Sequence, residues 1–154
     1  MRPAIAIMER EVAGLIALAA GRRDDAIAIL QAAARAENEL PAPMGLPAPV
    51  KPAPELLGEV LVEAGRPADA YGPFADALKR HPNRSLSLLG LARAAAANGD
   101  DRTARARYRQ LLANFTGADA DLPEPKEARA ALQRPASTKK PAPRTRGAGE
   151  NRQP

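Results

Sequence analysis

The sequence predicts an all-α protein, an antiparallel helix-pair solenoid of about three repeats with a capping helix and a disordered C-terminal tail. Three observations carry this. Alanine leads an apolar fraction of 45%, and aromatic residues make up only 3% of the 154 residues. With few β-branched runs, that balance favours helix over strand. A short phrase recurs as "AGRRDDA" at 20–26, "AGRPADA" at 64–70 and, more loosely, "NGDDRTA" at 98–104. Between the phrases, apolar residues follow the spacing of one helix face.

The elements follow in order. Residues 3–20 read as a helix with Pro3 in its first turn and Gly21 beyond its end. Ile5, Met8, Val12, Leu15, Ile16 and Leu18 keep helical spacing and are expected in the core. Ile5, Ile7 and Leu18 are also read as able to meet an upstream helix or a second copy of the chain. Residues 23–38 give a second helix with Ile27, Leu30, Ala33 and Ala34 on one face. The stretch "ELPAPMGLPAPVKPAP" (39–54) holds six prolines and predicts an extended connection. Helices follow at 54–64, stopped by Gly65, and at 67–80, stopped by Pro82. Pro73, after Gly72, lies inside the latter, where it removes a hydrogen bond to Asp69 at a cost of ~3 kcal/mol. A kink or short break near 69–73 and marginal stability are therefore expected. A further helix spans 85–98, and Asp100 or Asp101 caps the one running to about Phe115. A short helix at 124–133 closes the fold. Tyr71, Phe74, Tyr108 and Phe115 are the aromatic anchors for the core.

Charge and composition exclude several functions. The net charge of +5 sits wholly in residues 134–154, because residues 1–133 hold 17 basic and 17 acidic side chains. That tail has no large apolar residue, which predicts disorder. There is no cysteine and a single histidine, His81, beside a turn proline. This leaves no nucleophile–base pair, no metal set and no cofactor motif, so no catalytic residue is assigned. The pairs Glu9/Glu11, Asp24/Asp25, Asp100/Asp101 and Asp119/Asp121 mostly mark helix starts and turns. No apolar run reaches membrane length, and Glu9, Arg10 and Glu11 interrupt what would be a signal peptide. A cytoplasmic protein is expected.

The repeated phrase has a period. Gly65 and Gly99, Ala70 and Ala104, and Phe74 and Tyr108 each stand 34 residues apart. That is the length of a tetratricopeptide unit. Leu57-Gly58, Leu61, Ala70, Phe74, Ala77 and Pro82 match the family's framework, with Pro54 at its tryptophan position. The chain thus resembles a tetratricopeptide-repeat protein, and more loosely the C-terminal part of larger bacterial ones of undefined role. Units fall at about 3–40, 51–84 and 85–118, with a cap at 124–133, an insert at 41–50 and a basic tail from 134. The middle unit matches well. The third keeps Ala92, Ala104 and Tyr108 but has Leu111 and Thr116 for alanine and proline. The first has Leu30 for the aromatic.

The resemblance implies a non-enzymatic scaffold that holds a partner peptide or helix in a groove lined by the first helix of each pair. Carried over by position, that groove is Met8, Glu11, Leu15 and Leu18, then Glu55, Glu59 and Val62, then Leu86, Leu89, Arg93 and Ala96. Glu11 and Leu15 stand where a carboxylate clamp needs lysine and asparagine, so that clamp is not expected. The same residues also read as a solvated helix face. The alternative function is sequence-blind binding of nucleic acid or an anionic surface through Lys139, Lys140, Arg144 and Arg146. A third reading folds this tail back onto the acidic groove.

Overall fold

A computed structural model describes residues 3–41, 51–117 and 121–135. The C-terminal tail from 136 and the insert residues 42–50, for which disorder and an extended path are expected, lie outside the described residues. Among the described residues there are seven helices: α1 (Pro3–Ala19), α2 (Arg23–Asn38), α3 (Ala53–Glu63), α4 (Pro67–Arg80), α5 (Ser85–Ala97), α6 (Asp101–Asn114) and α7 (Pro123–Gln133). They pack as the antiparallel pairs α1–α2, α3–α4 and α5–α6, with α7 against α6. α3 also touches α1 and α5, so the first helices of the pairs stand side by side.

The recurring phrase is the helix-to-helix turn. Gly21, Gly65 and Gly99 have φ of 76°, 73° and 73°, a region that costs an L side chain but not glycine. Each turn closes with the same two bonds. The amide of the glycine donates to a carbonyl three residues back, Leu18, Val62 or Ala96. The next amide reaches five residues back, from Arg22 to Ala17 (2.9 Å), Arg66 to Leu61 (2.8 Å) and Asp100 to Ala95 (2.9 Å). This double closure satisfies the last carbonyls of the first helix and reverses the chain. Asp100 then caps α6 by accepting from the Thr103 amide at 3.1 Å, a bond that signals a helix start.

Small residues let the helices close on one another. Phe74, 2% exposed, lies between α3 and α5. A Cβ added at Gly58 would meet its ring at 2.8 Å, and one added at Gly90 would come closer still. The first pair repeats this on a smaller scale, with Leu30 standing 2.7 Å from where a Gly14 Cβ would be. Leu61, Leu88, Ala70, Leu78 and Leu111 complete a continuous core with Tyr108.

Two expectations are corrected. α4 continues through Pro73 without the short break that was one of the two expected outcomes there. Ala70, Phe74, Ala77 and Leu78 are buried along its length, and this tertiary burial outweighs the lost hydrogen bond. On α1, Ile5, Met8, Val12, Leu15 and Ile16 are not core but 43–60% exposed. The buried side of α1 is Ile7, Glu11, Gly14 and Ala17. Close packing selects the face with Gly14 and Ala17, and α2 covers that face alone.

Polar contacts hold the chain on both sides of the insert. Arg80 donates to the carbonyls of Leu40 and Pro41, each at 2.9 Å. Glu37, 2% exposed, accepts from the Ala53 amide at 2.6 Å and so fixes the first turn of α3.

Gly90→Ala should lower stability by ~1–3 kcal/mol through overpacking against Phe74. Gly72→Ala, mid-helix with nothing within 4 Å of the added Cβ, should raise it by ~0.5–1 kcal/mol. Urea unfolding midpoints of the two variants check this contrast.

Candidate functional site

The side-by-side first helices enclose two hollows. Between α1 and α3 lies a groove of about 470 Å³, with Met8, Val12, Leu15, Leu18, Leu56 and Val60 as its apolar lining and Glu11, Glu59, Glu63 and Lys51 as its charges. Between α3 and α5 a smaller hollow of about 150 Å³ is lined by Val62, Leu86, Leu89 and Arg93, with Phe74 and Gly90 at its floor. Glu59 and Glu63 line both, so the two hollows adjoin across α3. They stand one helical turn apart, which puts them on one edge of that helix.

The expected groove residues divide. Glu11, Leu15 and Glu59 come together in the larger groove, and Glu59, Val62, Leu89 and Arg93 in the smaller one. Glu55 is a correction. It is 0% exposed and points into the helix layers. Its carboxylate accepts from Arg84 Nε at 2.7 Å and Arg84 Nη2 at 2.9 Å, and from the Ser87 hydroxyl. A buried charge needs such partners, so Glu55 fastens α3 to the start of α5 and is closed to a ligand. The resemblance, carried over by position, misplaces it because it lies one helical turn from Glu59 but faces α5.

Arg93 is also largely engaged. It grips Glu127 of α7 through Nε at 2.9 Å and Nη2 at 2.5 Å. The Tyr108 hydroxyl donates to the same carboxylate at 3.1 Å. The Arg93 hydrogen bond holds the Glu127 carboxyl below the usual range, and burial, with Glu127 beside it, pushes the Tyr108 phenol up to about 12. Arg105 donates to the Leu132 and Arg134 carbonyls at the end of α7, at 2.9 and 3.0 Å. α7 is therefore clasped to both helices of the third pair.

Glu11 is the exception among the acids. It is 8% exposed, and no donor reaches its Oε1 among the described residues. Burial, then the charge of Glu37, pushes its carboxyl up to about 7, against a smaller lowering by Lys51. Lys51 itself is held by Glu59 at 2.5 Å. Lys51 and Glu63 were not singled out by the sequence. Lys51 lies at the end of a proline-rich stretch, where no periodicity marks it, whereas the i, i+4 spacing of Glu63 from Glu59 is a usable signal.

A family model described as tetratricopeptide repeat matches residues 86–117. The chain carries a tetratricopeptide repeat. The match spans all but the first residue of α5, all of α6 and the turn after it, the pair whose framework looked weaker in sequence than that of α3–α4. Pro73 and Pro54 are the departures that α3–α4 carries instead. No curated protein matches the chain, so the likeness to larger bacterial proteins has no named relative. Among the described residues no helix is long and apolar enough to cross a membrane. Lys139, Lys140, Arg144 and Arg146, the alternative binding residues, lie outside the described residues.

Glu55→Ala strands Arg84 and Ser87 and should cost ~3 kcal/mol or more, read from denaturant midpoints. Glu11 gives a pH dependence. Its folded pKa lies above that of the unfolded chain, so its contribution is complete below about pH 4.5 and is lost as pH rises toward 7. Glu11→Gln should match the parent at pH 4 and exceed it by ~1–3 kcal/mol at pH 8, as measured by unfolding across that range.

Proposed function

We propose that this protein is a non-enzymatic scaffold that holds a partner peptide or helix along the α1–α3–α5 edge. The observation that carries this reading is the adjoining pair of hollows, lined mainly by apolar side chains with Glu11, Glu59 and Glu63 among them. Met8, Val12 and Leu15 are 43%, 56% and 44% exposed beside it. Contiguous exposed apolar surface of this kind marks interaction sites on helical repeats. The binding residues proposed are Glu11, Leu15, Glu59, Val62 and Leu89, with Arg93 contributing its exposed edge. The repeat units at 3–40, 51–84 and 85–118 each supply one helix to this surface, and a cytoplasmic setting suits it.

Selection of short helical peptides from a display library against the full chain tests this. Binders should carry an apolar stripe, and Leu15→Glu with Val62→Glu should weaken them at least ~tenfold. Replacing Lys139, Lys140, Arg144 and Arg146 with serine should leave them unchanged. Loss of binding only in the tail variant, with recovery at low salt, would instead favour the tail as the contact.

A further inference from the structure

We infer that the α1–α3 groove contains a subsite for a cationic side chain, so that its partner is anchored by a lysine or arginine delivered to Glu11. This deepens the scaffold reading and rests on it.

The first ground is an unmet demand. A buried carboxylate oxygen without a donor costs free energy, and Glu11 Oε1 has none among the described residues. The side chain lines the groove although Oε1 itself is shielded from solvent, so a donor arriving there must part the surrounding side chains to reach it.

The second ground is that Lys51, the cation that lines the groove among the described residues, is already engaged. On the segment leading into α3, Lys51 is bound to Glu59. On α2, Glu37 faces Glu11 as a second acid. Glu37 receives the Ala53 amide at 2.6 Å and approaches Arg80 Nε at 4.0 Å. On α3, Glu59 and Glu63 add negative charge to the same wall. On α1 itself, Glu9 and Arg10 are exposed and neither bonds Glu11. The groove therefore holds three carboxylates against one ammonium. An incoming cation gains charge-assisted hydrogen bonds in a partly desolvated site. The apolar lining of Met8, Leu15 and Leu18 suits the methylene stem of that residue.

The probe is octylammonium, an apolar stem with a cationic head, compared with octanol, which has the same stem and no charge. Both are titrated into the full chain and followed by amide chemical shifts of α1 and α3. Octylammonium should bind more tightly than octanol. Its affinity should rise ~tenfold between about pH 6 and pH 8, as Glu11 ionises while the ammonium stays protonated. Glu11→Gln should abolish that rise and weaken octylammonium ~tenfold at pH 8 while leaving octanol unchanged. Unchanged octanol binding shows that the groove of the variant is intact. Equal binding of the two probes, or an octylammonium affinity indifferent to Glu11→Gln, would overturn the cation subsite while leaving the groove. If neither probe shifted α1 or α3 resonances, the groove reading itself would fail, and this inference with it.

Discussion

The wedge of Phe74 between Gly58 and Gly90 is the contact on which the rest of the structure depends. The ring sits on α4, while the two glycines lie on α3 and α5. One side chain thereby joins a helix pair to itself and to the next pair. A solenoid has stability only through such neighbour contacts. Aromatic residues are so scarce in this chain that few other side chains could span that gap. Bringing α3 and α5 to either side of one ring also sets their separation, and that separation forms the smaller hollow.

The charged residues mostly serve this assembly. Glu55 binds Arg84 and Ser87 at the entry to α5, Glu37 holds the α3 amide end, and Glu127 gathers Arg93 and Tyr108 under α7. Arg80 and Glu37 grip the chain on the two sides of the insert, so α2 and α3 stay packed despite the added residues. Charges committed to fastening helices are unavailable to a partner. What remains along the open edge is apolar surface and an excess of carboxylate, centred on Glu11.

Much of the fold was legible because backbone punctuation is local. Gly21, Gly65 and Gly99 announce their turns by position alone, and the spacing of Ala70, Phe74 and Ala77 marks a buried face. Pro73 does not break α4 because its penalty is local, whereas burial against α3 and α5 holds the helix. The site was less legible for the same reason. Helical spacing shows which residues share a face but not which face a neighbour will cover. On α1 the large apolar residues were expected inside, yet close approach chose Gly14 and Ala17 instead. Glu55 and Glu59 look equivalent in sequence, but one is sealed among helices and the other rims the groove.

The most direct test of this account is native-state hydrogen exchange on the full chain, comparing the parent with Phe74→Ala. If the Phe74 wedge couples the pairs, amides of α3, α4 and α5 should lose protection together and by a similar free energy, because their exchange reports one cooperative opening. Loss of protection confined to α4, with α3 and α5 as protected as in the parent, would contradict it. The pairs would then be held together by the remaining core and polar contacts, and Phe74 would be one buried side chain among many.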